Sequence, residues 1–120
     1  MNIETISQYC LSKKGAVEDF PFDEETLVFK VGGKMFALIP LEKIPLQINL
    51  KCDPEKAEEL RAEYDGIRPG YHMSKVHWNS VDFNKDVSTK MICELINHSY
   101  DLVFKSLTKK VQAEINEIEN

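Results

Sequence analysis

The residues best equipped for chemistry crowd into one stretch, GIRPGYHMSKVHWNSV, from Gly66 to Val81. Tyr71, His72, Lys75, His77 and Trp78 bring aromatic faces, imidazole donors and a cation close together. Aromatics interleaved with cations hold single strands or phosphates by stacking and charge neutralisation. The same residues also fit a purely structural role. Pro69-Gly70 would make a turn, a strand would follow, and Trp78 would fill the core with its polar tip bonded to backbone. A second group of cations flanks Gly32-Gly33. On a hairpin tip, Lys30 and Lys34 would form a basic wing reaching a phosphate backbone; otherwise they are solvated lysines of the kind that guard strand edges. Lys43, Lys51, Arg68 and Lys75 extend such a surface if an open sheet face collects them.

Other chemistries find less support. His72 and His77 are separated by an odd number of positions, so a strand would aim them at opposite faces and away from a shared metal. Cys10, Cys52 and Cys93 are odd in number and lack CxxC spacing, which argues against a disulfide framework or a zinc site. They read as reduced, mostly buried thiols, and nothing local marks Cys10 or Cys52 as an activated nucleophile beside a histidine. Gly32-Gly33 lacks the longer context of a phosphate-binding loop. Glu55, Glu58, Glu59 and Glu63 would line one helix as an acidic ridge able to attract metal. Lys56 and Arg61 on the same helix favour an ordinary solvated face. No cofactor is expected.

The elements that must position these residues are legible from patterning. Ile3, Ile6 and Cys10 or Leu11 recur at helical spacing, predicting a helix over residues 3–14 stopped by Gly15. AVEDFPFDEE should be irregular, with Phe20 and Phe22 anchoring it. TLVFKVGGKMFALIP reads as a tight hairpin, strands 26–31 and 34–39 about Gly32-Gly33. PLQINLKC reads as a third strand with Leu46, Ile48 and Leu50 buried, and Gln47, Asn49 and Lys51 wet. DPEKAEELRAEYDG predicts a helix capped by Asp53 with Pro54 at its first position. SKVHWNSVDF alternates as a strand, with Val76, Trp78 and Ser80 on one side. Val87, Met91, Leu95, Val103 and Leu107 follow a helical period capped by Asp86 or Ser88, as one long helix or two meeting near residues 97–99. Residues 109–120 are polar and expected to fray. Together these predict a single α+β domain over residues 1–120, an antiparallel sheet with helices on one face and the other face open.

The 120 residues, 42% hydrophobic and 29% charged, suit a soluble globular chain. No apolar run approaches a membrane span, and the polar start MNIETISQYC is unlike a signal peptide, so a cytoplasmic location without membrane association is expected. The net charge of −5 opposes non-specific duplex binding, which usually rests on a basic surplus. Three pieces, VFKVGGKMFAL, RPGYHMSKVHWNSV and SYDLVFKSL, together resemble the bacterial MmcQ/YjbR-like proteins over nearly the whole chain. The resemblance implies a CyaY-like fold, α-β(3)-α-β(2)-α, and a DNA-binding "double wing" character. No enzymatic activity comes with it, and a CyaY-like fold does not import the iron chemistry of frataxins.

With that resemblance, the leading expectation is a non-enzymatic DNA-binding module. It would contact phosphate through a hairpin wing, Lys30 and Lys34, and through the Tyr71–Trp78 segment, with Tyr71, His72, Lys75 and His77 as contacts. The first alternative is a protein-interaction module using the open sheet face. The second is a small-ligand protein or enzyme with a pocket near His72 and His77.

Overall fold

The computed structural model describes residues 2–70 and 74–118. Helix α1, Ile3–Leu11, starts at Asn2, whose side chain accepts from the Thr5 amide at 2.9 Å. It ends earlier than the expected 14, and the chain turns at Gly15, where φ is +73°. Strand β1, Val17–Asp19, follows. No strand was expected here because Val17, Glu18 and Asp19 are all exposed and carry no alternation; backbone pairing with the next strand holds them. Phe20 and Phe22, expected to anchor this region, are exposed instead.

Strands β2, Thr26–Val31, and β3, Lys34–Pro40, form the hairpin. Its two turn residues have φ of +58° and +81°, the paired left-handed angles that a two-residue hairpin loop needs. Phe29 faces Ala37 but Lys30 faces Met35, so Phe36 is an extra residue, a bulge. The bulge sends both Phe36 and Ala37 into the core beneath the helices. Strand β4, Gln47–Lys51, then leads to α2, Pro54–Glu63, with Asp53 as its cap. Strands β5, Ile67–Pro69, and β6, Trp78–Asp82, complete one six-stranded antiparallel sheet in the order β1-β2-β3-β4-β6-β5. β5 is the first of the two strands that the family resemblance implied after α2, at a place where residue patterning alone gave a turn. Ser88 caps a single uninterrupted helix α3, Thr89–Ser106. Asp86 serves elsewhere, accepting the Asp65 and Gly66 amides at 2.7 and 2.8 Å.

α3 lies over β3 and β4 and supplies Ile92, Ile96 and Val103 to the core, against Phe29, Phe36 and Ile48. Tyr100 meets Phe36 edge-on at 5.4 Å and donates its hydroxyl to the Lys14 carbonyl. The segment expected to fray contains a further helix, α4, Lys109–Asn116. Val111 and Ile115 are its anchors: Ile115 is buried near Gly15 and Val111 packs near Gly32. Two apolar residues one helical turn apart suffice to dock a helix this short, and its polar composition hid them. No helix among the described residues is long and apolar enough to cross a membrane.

His98 on α3 accepts the Asp53 amide at 3.1 Å, tying the start of α2 to α3 through a neutral ring. Burial, and secondarily the Lys56 cation, hold its pKa below the usual 6.5, with Asp53 and Asp101 opposing. Because the folded value is depressed, the stabilisation is complete above pH 6.5 and is lost as the pH falls through the lower folded-state value. Thermal melts between pH 7 and 5 should therefore show Tm falling by a few degrees. His98→Gln, which keeps an acceptor that cannot protonate, should flatten that part of the profile; an unchanged profile would remove His98 as its source.

Candidate functional site

The helix-free side of the sheet has two unlike halves. Strand pairing places Asp19, Val28, Leu38, Asn49, Ser80 and Arg68 in one row across all six strands. Toward β2 and β3 the face is apolar. Trp78 is buried there against Val28 and Leu38, with Met35 at the margin, rather than in the main core beneath the helices. Toward β5 and β6 the face is polar, and the outward positions of β4 are not uniformly wet. Gln47 is only 4% exposed and Asp82 opposite it 2%.

Those two buried groups are organised by Arg68. Its Nη1 donates to Asp82 Oδ2 at 2.6 Å, and its Nη2 donates to Asp82 Oδ1 and Gln47 Oε1, both at 2.9 Å. The Arg68 guanidinium is raised above its already high ordinary pKa, chiefly by the hydrogen bond it donates to Asp82, and stays charged. Beside it the Ser80 hydroxyl donates to Asn49 Oδ1. Over this network lies a cleft of about 280 Å³ lined by Lys43, Gln47, Arg68, Pro69, Lys75 and Ser80. Lys43 comes from the β3–β4 connection, Lys75 from the chain entering β6, and Arg68 from the edge strand, so three cations from distant positions converge.

The entry to β6 is held from the helix side. Arg61 of α2 donates from Nε to Asn79 Oδ1 at 2.6 Å, and from Nη2 to the carbonyls of Lys75 and, at 3.3 Å, Trp78. The Cys52 amide donates to the His77 carbonyl at 2.7 Å. Gly70 passes so close that a Cβ there would lie 2.9 Å from that of Trp78. Sequence reading treated Arg61 as part of a solvated helix face; its guanidinium instead braces the chain that carries Lys75.

The residues expected to bind nucleic acid separate in space. Lys75 lines the cleft and His77 is exposed on the turn before β6, while Val76, expected inward, is exposed. Tyr71 and His72 lie outside the described residues, and with them the expected pocket near His72 and His77. Lys30 is paired with Asp19 at 3.3 Å on the open face. Lys34 leans toward the helices, its Nζ 3.4 Å from Ser106 Oγ. Lys34 pairs with Val31 across the turn, which leaves Lys30 and Lys34 on opposite faces of the hairpin, and a Cβ on Gly32 would touch Leu107, so the tip rests on the α3–α4 corner. Lys43 and Arg68 join the cleft as the open-face reading allowed, whereas Lys51 lies a row away opposite Trp78. Gln47, Ser80 and Asp82 were missed. Their one signal was a charged residue inside WNSVDF, where an inward carboxylate requires a cation.

Among the described residues no three histidine, cysteine, aspartate or glutamate side chains are placed to hold a metal ion, and the α2 glutamates are exposed. Burial pushes the Cys10 thiol up to about 12, helped by Cys93, and raises Cys52 and Cys93 as well.

The sequence model described as YjbR matches residues 11–102. The chain belongs to the YjbR family. It is 43% identical over 97 residues to the uncharacterised protein YbdF of Escherichia coli O157:H7, covering 80% of this chain and 79% of that protein. It is 32% identical over 100 residues to the uncharacterised protein YjbR of Escherichia coli K12, covering 83% and 85%. The crystal structure of Deinococcus radiodurans protein DR2400 superposes with a TM-score of 0.90 at 40% identity, over 96% of this chain and 88% of that one. The α+β architecture expected from the sequence is therefore that of a YjbR-family protein, with β1 and α4 added to the expected order.

Proposed function

We propose that this YjbR-family chain is a non-catalytic DNA-binding module that receives a phosphate backbone in the cleft on its open sheet face. The observation that carries the reading is the convergence of Lys43 and Lys75 on one cleft beside the Arg68–Asp82 pair, in a protein of net charge −5. Asp82 offsets Arg68, so the two lysines supply the local positive field that attracts phosphate. A binding role rather than catalysis is supported by thiols that burial holds protonated, and so without nucleophilic character. The Tyr71–Trp78 segment contributes through Lys75, with His77 beside it. The hairpin wing is the outer part of the surface and contributes less, because Asp19 already offsets Lys30.

The test is fluorescence anisotropy of labelled single- and double-stranded DNA at low and moderate salt. Binding should weaken with salt. Lys43→Ala/Lys75→Ala should lower the slope of log K against log salt by about 1.4, at roughly 0.7 per lost phosphate contact on a single strand. Lys30→Ala/Lys34→Ala should change it less. No binding at low salt, where such contacts are strongest, overturns the reading. A second reading, a protein-interaction module, is favoured by Phe20 and Phe22, 45% and 65% exposed beside edge strand β1. On that reading Phe20→Ser/Phe22→Ser abolishes partner capture and leaves DNA affinity unchanged.

A further inference from the structure

We infer that the free edge of β1 receives an extended, lysine- or arginine-rich segment of another protein, added as a further strand and held by Phe20 and Phe22. This rests on the interaction-module reading above, gives it a partner of stated chemistry, and is independent of the DNA cleft. β1 ends the sheet: among the described residues, β2 lies on one side of it and no strand on the other. Its second row of backbone groups is therefore open to a new strand. Just beyond it the chain leaves two aromatic rings in solvent, Phe20 at 45% and Phe22 at 65% exposed, with Val17 at 55% on the strand itself. The opposite edge is unlike this one. β5 starts at buried Ile67 and ends in Pro69, which has no N–H to pair.

Charge decides what this edge accepts. The run from Val17 to Glu25 holds five carboxylates and no lysine or arginine. Two of the five have work within the chain. Asp19 pairs with Lys30 and accepts the Phe20 amide, and Asp23 accepts the amides of Glu25 and Thr26 at 2.9 and 2.8 Å. Glu18, Glu24 and Glu25 are exposed, and exposed Glu42 joins them because the Leu41 amide donates to the Glu25 carbonyl at 2.7 Å. The Glu42 charge is the first cause that holds the Glu25 pKa above its ordinary value, followed by desolvation. Like charges crowded beside exposed rings are relieved by a cation from outside. A second copy of this chain brings the same carboxylates to the edge and is repelled, as is an anionic lipid surface. A cationic polypeptide is not. Its backbone pairs with β1, its cations meet the carboxylates, and its apolar side chains cover the two rings. A strand of three residues offers few backbone bonds, so the rings supply much of the affinity.

The test is fluorescence anisotropy with three labelled peptides of equal length. One alternates lysine with valine and phenylalanine, the second has glutamate in place of lysine, and the third is the first with its backbone amides N-methylated. The lysine peptide should bind at least about tenfold tighter than either control, the scale of a few lost backbone hydrogen bonds or charge contacts. Phe20→Ser/Phe22→Ser, which alters only exposed side chains, should weaken it by at least about tenfold, the scale of two rings left uncovered. Glu18→Lys/Glu24→Lys should reverse the preference, so that the glutamate peptide binds the tighter. Equal binding of the N-methylated peptide would mean attraction without strand addition and would overturn the inference. Equal binding of the lysine and glutamate peptides, lost in the phenylalanine variant, would keep the interaction reading and overturn the cationic partner. No binding of any peptide at low salt, where charge contacts are strongest, overturns both. Dimerisation in sedimentation that the phenylalanine variant abolishes would also overturn the inference, by placing a second copy on the edge.

Discussion

Arg68→Ala is expected to destabilise the protein by about 2–3 kcal/mol, and Arg68→Met/Asp82→Leu by less than about 1 kcal/mol, in urea or thermal unfolding. The asymmetry follows from what each change leaves behind. Asp82 is a carboxylate with 3% of its side chain exposed, and the structure gives it two hydrogen bonds from Arg68. Removing the cation alone strands a desolvated charge, which for a fully enclosed pair costs roughly 3–5 kcal/mol. Here Arg68 is partly wet, so water can reach the gap and the expected loss is smaller. Removing both partners leaves no charge to solvate and replaces it with apolar volume. Gln47 would then face a lost donor, a lesser cost because an amide carbonyl is neutral. If the single and double variants were equally destabilised, the buried carboxylate would not be the reason Arg68 sits where it does.

The same network explains what was readable in the sequence and what was not. Elements whose cause is local were legible. The Gly32-Gly33 turn, the Asp53-Pro54 start of α2 and the helical period of Val87 to Leu107 each carry their own signal within a few residues. β1 and β5 were not, because a three-residue strand at a sheet edge is made by its neighbour's backbone rather than by its own side chains. The cleft was legible only as a list of cations. That Lys43, Arg68 and Lys75 meet depends on β6 inserting between β4 and β5, a long-range event with no local mark. Trp78 was correctly expected to be buried, but period-2 alternation cannot say which face of a sheet the helices will cover, and it packs on the uncovered one. Lys30 and Lys34 looked like a pair because both flank the turn in sequence. The two-residue turn pairs Lys34 with Val31, so alternation puts Lys30 on the other face.

Gly32→Ala and Gly33→Ala should differ in cost by about 1 kcal/mol, although both place a side chain at a left-handed backbone angle. At Gly33 the added Cβ meets nothing within 4 Å, so the cost is that of the angle alone, φ +81°, or about 1 kcal/mol. At Gly32, with φ +58°, the Cβ would also lie 2.6 Å from Leu107 Cδ1 and 2.9 Å from its Cδ2, for a total of about 2 kcal/mol. Leu107 is itself only 8% exposed, so it cannot swing clear without opening the corner between α3 and α4. A double-mutant cycle with Leu107→Ala isolates that contact: the second half of the Gly32 penalty should vanish once the leucine is truncated. The outcome also bears on the proposed nucleic-acid surface. A hairpin tip seated on the helices is not free to reach into a groove, which is why the cleft rather than the wing is assigned the principal contact. Equal costs at Gly32 and Gly33, with no coupling to Leu107, would mean the tip stands clear in solution and would return Lys30 and Lys34 to the front of the binding surface.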